Sequence, residues 1–189
     1  MRFVGVKSSK KNEADLNHAQ KMLEWESRSS KKTQQAEYKY FGKPLDQIKL
    51  ICNVPLFVIK TIIFIEDSSL EVEGLYRRSG SKQDVETLKL TFESDFDIDF
   101  NNLGFNVHVF TGALKTFFST LPSSFIPVSF IPKILEATSQ TDPNVRIDQI
   151  KSVVETLPNP ILTIFTFLMH HLARVYNCKE KNKMDARNL

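Results

Sequence analysis

The chain of 189 residues is poor in several features that whole classes of protein require. It contains two cysteines, Cys52 and Cys178, which are too few for the disulfide framework of a small secreted domain. Its longest apolar runs, residues 54–65 and 161–169, are shorter than the roughly 18 to 20 residues that cross a bilayer, and Lys60 interrupts the first. The N-terminus lacks the continuous apolar segment of a secretion signal. We therefore expect a soluble protein of the reducing cytoplasm.

The patterns of self-contained catalysis are also missing. The six glycines are too scattered for a phosphate-binding loop, and no Gly-x-Ser-x-Gly segment is present. The histidines show no metal-ligand spacing with the cysteines, and the pair His170–His171 would point to different helix faces, as core or surface side chains do. Asp95, Asp97 and Asp99 lack the glycine and the distal glutamate of a calcium loop. We expect no metal site and no cofactor of the chain's own.

Charge and aromatic content divide the chain near residue 40. Residues 1–40 carry nine Lys or Arg against five Asp or Glu, whereas residues 41–189 carry sixteen against seventeen. Of the fifteen phenylalanines, only Phe3 precedes residue 41. The sequence therefore predicts a basic, largely disordered or partly helical extension over residues 1–40 and a folded domain over residues 41–189.

Within the extension, residues 13–26 have the spacing of a short helix. Four lysines near it, Lys10, Lys11, Lys31 and Lys32, are interpreted as solvated charges, because a polybasic lipid site gathers about 4 to 8 charges in one cluster. Weak contact with an acidic membrane surface, or with nucleic acid, is the alternative. The formal charge of −1 on residues 41–189 argues against a nucleic-acid-binding domain.

Helical spacing dominates the rest of the chain. Residues 56–66 form an apolar segment after Pro55, and four capping side chains, Ser81, Asn106, Asp142 and Asn159, precede further helices. Only residues 96–100 alternate in the manner of a strand, and they are few and acidic. The predicted fold class is therefore all-α, a helical bundle.

The helix after Asn106 shows the clearest amphipathic pattern. Its apolar positions recur at intervals of three and four residues, which predicts one wide stripe facing the core. These positions are Phe110, Ala113, Leu114, Phe117, Phe118 and Leu121. Lys115 and Ser119 are predicted to lie on a different, polar face.

Three short segments carry more specific information. Residues 73–80 read Glu-Gly-Leu-Tyr-Arg-Arg-Ser-Gly, and residues 112–122 read Gly-Ala-Leu-Lys-Thr-Phe-Phe-Ser-Thr-Leu-Pro. Residues 40–45 read Tyr-Phe-Gly-Lys-Pro-Leu. In their order and context, over residues 40–189, these segments resemble the Rho GTPase-activating protein (RhoGAP) family.

The resemblance implies roles for five residues. Arg77 would be the arginine finger, because it follows the family's glycine, aliphatic and aromatic residues. Arg78, Lys115, Ser119 and Asn188 would contact the GTPase or support the finger. Many family members have an arginine at the position of Ser119, and its replacement is a feature of the p190-like branch. The altered segment after this helix, Pro-Ser-Ser in place of Pro-Glu-Pro, is a second departure from the family pattern.

The resemblance also implies an activity and a partner. The chain would stimulate GTP hydrolysis by a Rho- or Rac-type small GTPase in its GTP-bound state, which itself holds the GTP and the Mg²⁺. It would act as an activator rather than an enzyme with substrate turnover of its own, in the cytoplasm or recruited to a membrane surface. Gly74 and Gly80 would let the finger loop approach the partner's nucleotide. A module that binds small GTPases with weak or no activity is the alternative.

Two further expectations concern Arg77, taken without the family resemblance, and the C-terminal end of the chain. Without the family motif, Arg77 would be interpreted as a loop cation paired with Glu71 or Glu73, and Lys115 as a solvated charge. The residues Asn188–Leu189 match the opening of a helix that continues in the family. We therefore expect a RhoGAP-like helical bundle that lacks its last helices, on the order of 25 residues at average helix lengths.

Overall fold

Residues 40–189 are described by the structure, which is a computed structural model of the chain. The predicted extension over residues 1–40, its helix over residues 13–26 and its four lysines therefore lie, except for Tyr40, outside the described residues.

Helices make up most of the described part of the chain. Its seven α-helices are α1 (Leu56–Ser68), α2 (Lys82–Ser94), α3 (Val107–Ser119), α4 (Ile131–Thr138), α5 (Pro143–Glu155), α6 (Ile161–Asn177) and α7 (Lys179–Asn182). Short 3₁₀ turns cover Leu45–Gln47, Phe100–Leu103 and Val128–Phe130. Two strands, β1 (Leu50–Ile51) and β2 (Val54–Pro55), precede α1. The all-α prediction is confirmed.

Three of the four predicted helix caps are confirmed. The side chains of Ser81, Asn106 and Asp142 each accept a hydrogen bond from a backbone N–H two or three residues further on, at 2.7 to 3.3 Å. These bonds satisfy N–H groups that have no carbonyl partner in the first turn of α2, α3 and α5. The starts of these helices are therefore set by local chemistry.

The prediction that the Asn159 side chain caps a helix is wrong. The helix α6 begins one residue later than this cap requires, with Pro160 as the residue before it. The carbonyl oxygen of Pro158 accepts the Leu162 N–H at 3.1 Å, so a backbone group supplies the acceptor. The Asn159 side chain instead accepts a hydrogen bond from the Thr163 hydroxyl at 3.0 Å.

A small antiparallel strand pair also departs from the prediction. Strands β1 and β2 pair Leu50 with Pro55 and Ile51 with Val54. Residues 96–100, the only segment with a strand-like alternation, instead lead into the 3₁₀ turn at Phe100–Leu103. The pair is too short for alternation to be visible in the sequence.

Aromatic side chains fill the main core between α1, α2 and α3. Phe57, Phe92, Phe110 and Phe117 are completely buried, and Tyr40 joins them. The rings of Phe57 and Phe92 meet edge to face with centroids 5.0 Å apart, and those of Tyr40 and Phe92 do so at 5.1 Å. Such pairs contribute about 0.5 to 1.5 kcal/mol each beyond burial of their area. The predicted apolar stripe of α3 lies in this core, and Lys115 and Ser119 are exposed as predicted.

A second, smaller core lies at one end of the bundle. Ile65 from α1, Val107 from α3, Val175 from α6 and Met184 after α7 pack there around Leu75. Leu75 belongs to the loop between α1 and α2 and is completely buried. This cluster attaches the middle of that loop to three helices.

No helix in residues 40–189 combines the length and the apolar character needed to cross a bilayer.

Candidate functional site

The loop between α1 and α2 makes a tight turn at Gly74. Gly74 has a φ of +73°, in the left-handed region that glycine adopts without steric cost. Its carbonyl oxygen accepts hydrogen bonds from the N–H groups of Arg77 and Arg78, at 2.9 and 2.8 Å. Its own N–H donates to the carbonyl oxygen of Asn182 at 2.7 Å. The turn therefore fixes the backbone of the two arginines relative to the segment after α6.

The side chain of Arg77 is exposed on this turn. Among residues 40–189 the guanidinium of Arg77 makes no hydrogen bond and no ion pair, whereas the two acids close to it in sequence are occupied. Glu73 pairs with Arg78 at 2.6 Å, and Glu71 pairs with Lys181 at 2.6 Å. The interpretation of Arg77 as a loop cation paired with Glu71 or Glu73 is therefore wrong, because both carboxylates bind other cations.

Tyr76, the residue before Arg77, is held by polar contacts at its backbone carbonyl and at its side-chain hydroxyl. Its φ of +68° is unusual for a residue with a bulky side chain. The ammonium of Lys115 on α3 donates to the Tyr76 carbonyl oxygen at 2.8 Å. The Tyr76 hydroxyl lies 2.6 Å from Nε2 of His171 on α6. Burial, and to a smaller extent the nearby carboxylate of Glu66, raise the pKa of this hydroxyl far above its usual value, so that it stays protonated.

His171 links Tyr76 to a buried carboxylate. Its Nδ1 lies 2.8 Å from Oε1 of Glu66 on α1, and both side chains are nearly inaccessible. The second carboxylate oxygen of Glu66 accepts a hydrogen bond from the guanidinium of Arg174. His170, by contrast, is exposed. The prediction that the side chains of the two histidines point to different helix faces is confirmed.

Asn182 ties the segment after α6 to the same loop. It is completely buried, and its side-chain amide donates to the carbonyl oxygens of Leu70 and Val175 at 2.8 and 2.7 Å. Its Oδ1 accepts the N–H of Met184 at 2.8 Å, and its backbone carbonyl accepts the N–H of Gly74. All polar atoms of the side chain are therefore satisfied without solvent.

Gly80, at the far end of the loop, touches the backbone of α3. A Cβ at this position would lie 2.6 Å from the Val109 nitrogen and 2.7 Å from its Cα. Only glycine fits at such a distance from another backbone. Gly80 therefore lets the loop approach its own third helix, where the sequence suggested an approach to a partner's nucleotide.

The other predicted site residues are spread around this loop. Ser119 is exposed at the end of α3 and donates to the Thr116 carbonyl oxygen at 3.1 Å. Asn188 is exposed, and its amide donates to Oδ1 of Asp185 at 3.1 Å. A groove of about 260 Å³ brings Asn188 close to Tyr76 and Lys115. Arg77, Arg78 and Ser119 do not line that groove, so the predicted residues do not form one enclosed pocket.

Two cations of the site, Arg78 and Lys115, lie near His108. Burial lowers the pKa of His108, in the first turn of α3, and the charges of Arg78 and Lys115 lower it further. Arg78 is paired with Glu73, so Arg77 and Lys115 are the cations on the exposed face of the loop that pair with no carboxylate in residues 40–189. Such cations attract an anionic group.

Sequence reasoning missed the residues that hold the loop from behind. Glu66, His171 and Asn182 carry no local motif, because the hydrogen bonds that they make join residues 95 to 112 positions apart. The signal in the sequence is limited to polar residues inside the predicted apolar faces of helices. Such residues are normally satisfied when buried, but the pattern does not identify their partners.

Known proteins of similar sequence match most of this chain. The family model described as the RhoGAP domain matches residues 55–189. Rho GTPase-activating protein 35 of Rattus norvegicus is 33% identical over 154 residues, which cover 81% of this chain and 10% of that protein. Rho GTPase-activating protein 27 of Mus musculus is 35% identical over 137 residues, which cover 72% of this chain and 16% of that protein. The chain thus spans only about a tenth of the first of these relatives.

A solved structure shows the same helical arrangement. The crystal structure of human Rho GTPase activating protein 15 superposes with a TM-score of 0.75 at 32% sequence identity. The match covers 80% of this chain and 74% of that one.

Proposed function

Since the chain belongs to the RhoGAP domain family, we propose that it stimulates GTP hydrolysis by a small GTPase of the Rho or Rac type. In this proposal Arg77 is the arginine finger. The supporting observation is that the Arg77 guanidinium is exposed on a fixed turn and makes no hydrogen bond and no ion pair within residues 40–189. Arg78 is the poorer candidate because its side chain is paired with Glu73 at 2.6 Å.

The chemistry of phosphoryl transfer explains why an arginine serves here. During GTP hydrolysis negative charge develops on the bridging oxygen and on the oxygens of the γ-phosphoryl group. A guanidinium supplied from another protein neutralises that charge, and it reaches two oxygens at once because its donors form a planar fork. Arginine fingers accelerate hydrolysis by about 10³- to 10⁵-fold, or roughly 4 to 7 kcal/mol of barrier.

Lys115 has a supporting role in the proposal. Its ammonium bonds the Tyr76 carbonyl oxygen at 2.8 Å, one residue before the finger, and so braces the loop against α3. A charged donor makes a stronger bond to a carbonyl than a neutral one. Loss of Lys115 would therefore loosen the loop as well as remove one positive charge from the surface that meets the GTPase.

The remaining roles depend on the family resemblance. We propose that Arg78, Ser119 and Asn188 lie at the edge of the surface that meets the GTPase. Ser119, a short hydroxyl where many members have an arginine, makes one auxiliary contact weaker and is the basis for proposing the p190-like branch. The GTP, the Mg²⁺ and the attacking water would be held by the GTPase in its GTP-bound state, so that this chain supplies charge and positioning alone.

A cytoplasmic location follows from the same proposal, because the proposed partner would be met there. The four lysines of the N-terminal segment, Lys10, Lys11, Lys31 and Lys32, are proposed to make at most weak contact with acidic lipid. Co-sedimentation with vesicles containing phosphatidylserine, at two salt concentrations, tests this contact. Salt-independent binding, or none at low salt, would contradict it.

Phosphate release from GTP-loaded Rho and Rac, assayed side by side, tests the activity. The wild-type chain is expected to accelerate release from at least one of them, and Arg77→Ala to abolish the acceleration. Lys151→Ala removes an exposed cation from α5 and is the matched control, expected to match the wild type. A chain that binds a GTPase carrying a transition-state mimic but gives no acceleration would instead be the binding module.

A further inference from the structure

We propose that Glu66 and His171 are positioning residues for the arginine finger, and that they act through the hydroxyl of Tyr76. The inference rests on the proposed function and adds two residues to it, from α1 and α6. It is carried by a continuous chain of hydrogen bonds that starts at a buried carboxylate and ends one residue before Arg77.

The proton arrangement in this chain follows from its ends. A carboxylate only accepts hydrogen bonds, so Nδ1 of His171 must carry the proton shared with Glu66. In this tautomer Nε2 is an acceptor, and the Tyr76 hydroxyl donates to it over 2.6 Å. The raised pKa of Tyr76 agrees with this direction, since the hydroxyl keeps its proton. With this assignment every hydrogen bond of the chain is made.

The backbone of Tyr76 needs such support. A tyrosine with a φ of +68° has a backbone conformation that residues other than glycine rarely adopt. Two bonds hold it there from opposite ends: Lys115 binds the carbonyl oxygen, and His171 binds the hydroxyl. Because Arg77 is the next residue, the direction in which its side chain leaves the turn depends on this conformation.

Packing alone does not explain the composition of this network. Glu66 and His171 are 2% and 1% exposed, and an apolar pair would fill the same space without the cost of burying a charge. Arg174 pairs with one oxygen of the Glu66 carboxylate, and the other oxygen contacts Nδ1 of the His171 imidazole and so orients the ring. Together these buried polar groups fix the position of the Tyr76 hydroxyl, as expected of residues that support a functional site.

Amide hydrogen exchange tests the inference without any GTPase. The N–H groups of Arg77 and Arg78 bond the Gly74 carbonyl, and their exchange reports how often the turn opens. In Tyr76→Phe we expect their exchange to become about tenfold faster, the factor that corresponds to ~1.4 kcal/mol. Tyr40→Phe is the matched control, because it removes the hydroxyl of another tyrosine, which donates to the Lys49 carbonyl oxygen. It is expected to leave the exchange of both arginine amides unchanged.

Variants of His171 test the relay itself. His171→Gln keeps an acceptor near the position of Nε2, whereas His171→Leu removes it. We expect fast exchange at Arg77 and Arg78 in His171→Leu and a return of at least half the protection in His171→Gln. Equal exchange in Tyr76→Phe and the wild type, or equal loss in both His171 variants, would overturn the inference. If His171→Leu does not fold, Tyr76→Phe against Tyr40→Phe still decides it.

Kinetics separate this inference from the proposed function. With a responsive GTPase, Tyr76→Phe should lower the maximal stimulated rate about tenfold and change KM for the GTPase less than twofold. A merely structural residue would lower the active fraction and leave exchange at Arg77 and Arg78 no more affected than elsewhere. If the wild type stimulates no GTPase, the proposed function fails, while the exchange data still decide whether the relay holds the loop.

Discussion

Among the glycines in residues 40–189, Gly80 is the one whose replacement by alanine should destabilise the protein most. The new Cβ would lie 2.6, 2.7 and 2.8 Å from the Val109 nitrogen, the Val109 Cα and the His108 carbonyl carbon. All three are backbone atoms, so no side chain can rotate away. Either the end of the loop or the first turn of α3 must move by roughly 0.6 to 1 Å to restore ordinary contact distances.

The magnitude follows from what holds α3 in place. Val109 and Phe110 in its first turn are fully buried in the aromatic core, so the helix cannot shift freely. Overpacking typically costs about 1 to 3 kcal/mol, and a clash with fixed backbone belongs at the upper end, about 3 kcal/mol. With a urea m-value of about 2 kcal/mol/M, the unfolding midpoint should fall by roughly 1.5 M.

Gly104→Ala is the matched control for this prediction. Gly104 has a left-handed φ of +66°, unlike Gly80, but a Cβ there meets no atom within 4 Å. Its cost is therefore backbone strain alone, about 1 kcal/mol. Urea unfolding of the two variants, followed by circular dichroism, compares a clash with strain. A Gly80→Ala variant as stable as Gly104→Ala, or more stable, would refute the close approach between the loop and α3.

Three other predictions follow from buried polar groups. Thr61→Val should stabilise the protein by about 1 kcal/mol in urea unfolding, because the buried Thr61 hydroxyl has no partner within residues 40–189; a loss of stability would contradict this. Asn182→Ala should cost about 3 kcal/mol because it leaves the Leu70 carbonyl and the Met184 N–H unpaired and removes one of the two hydrogen bonds to the Val175 carbonyl, whereas the exposed Asn177→Ala should stay within about 0.5 kcal/mol; similar effects of the two would show that the Asn182 network contributes little. The pKa of His108 is lowered in the folded protein, so the unfolded state binds the extra proton as the pH falls below about 6.5, and the free energy of unfolding should drop there. His108→Leu should flatten that part of the pH profile, and an unchanged slope would exclude His108 as its source.

Local chemistry explains which parts of the fold the sequence predicted. Ser81, Asn106 and Asp142 cap their helices with groups two or three residues away, so a short window contains the whole interaction. Asn159 has the same pattern as Asp142, but the Pro158 carbonyl oxygen takes over the acceptor role. A competing backbone group of this kind leaves no trace in the sequence.

The strand pair before α1 shows a second limit. Its turn consists of Cys52 and Asn53, with φ values of +47° and +67°. The sequence pairs that normally indicate such a turn are Asn-Gly and Asp-Gly, which this segment lacks. Strands of two residues are also too short for an alternating pattern.

The candidate site was predictable where it depends on a motif and unpredictable where it depends on tertiary contacts. The motif indicated Arg77 and Lys115 as candidates, and the structure adds that Lys115 bonds the backbone beside Arg77. Glu66, His171 and Asn182 support the same loop from α1, α6 and α7. Their partners lie about a hundred residues away, and no single-sequence pattern encodes such pairings.

The most direct test of the central proposal is the single-turnover rate of GTP hydrolysis with saturating activator, compared between the wild type and Arg77→Ala. Binding of both proteins to the GTPase with a transition-state mimic, and urea unfolding, are measured in parallel to show that the variant is folded. We predict that Arg77→Ala loses about 10³- to 10⁵-fold of the acceleration at unchanged stability, and that Arg77→Lys recovers little of it. Equal rates with wild type and Arg77→Ala would contradict the proposal.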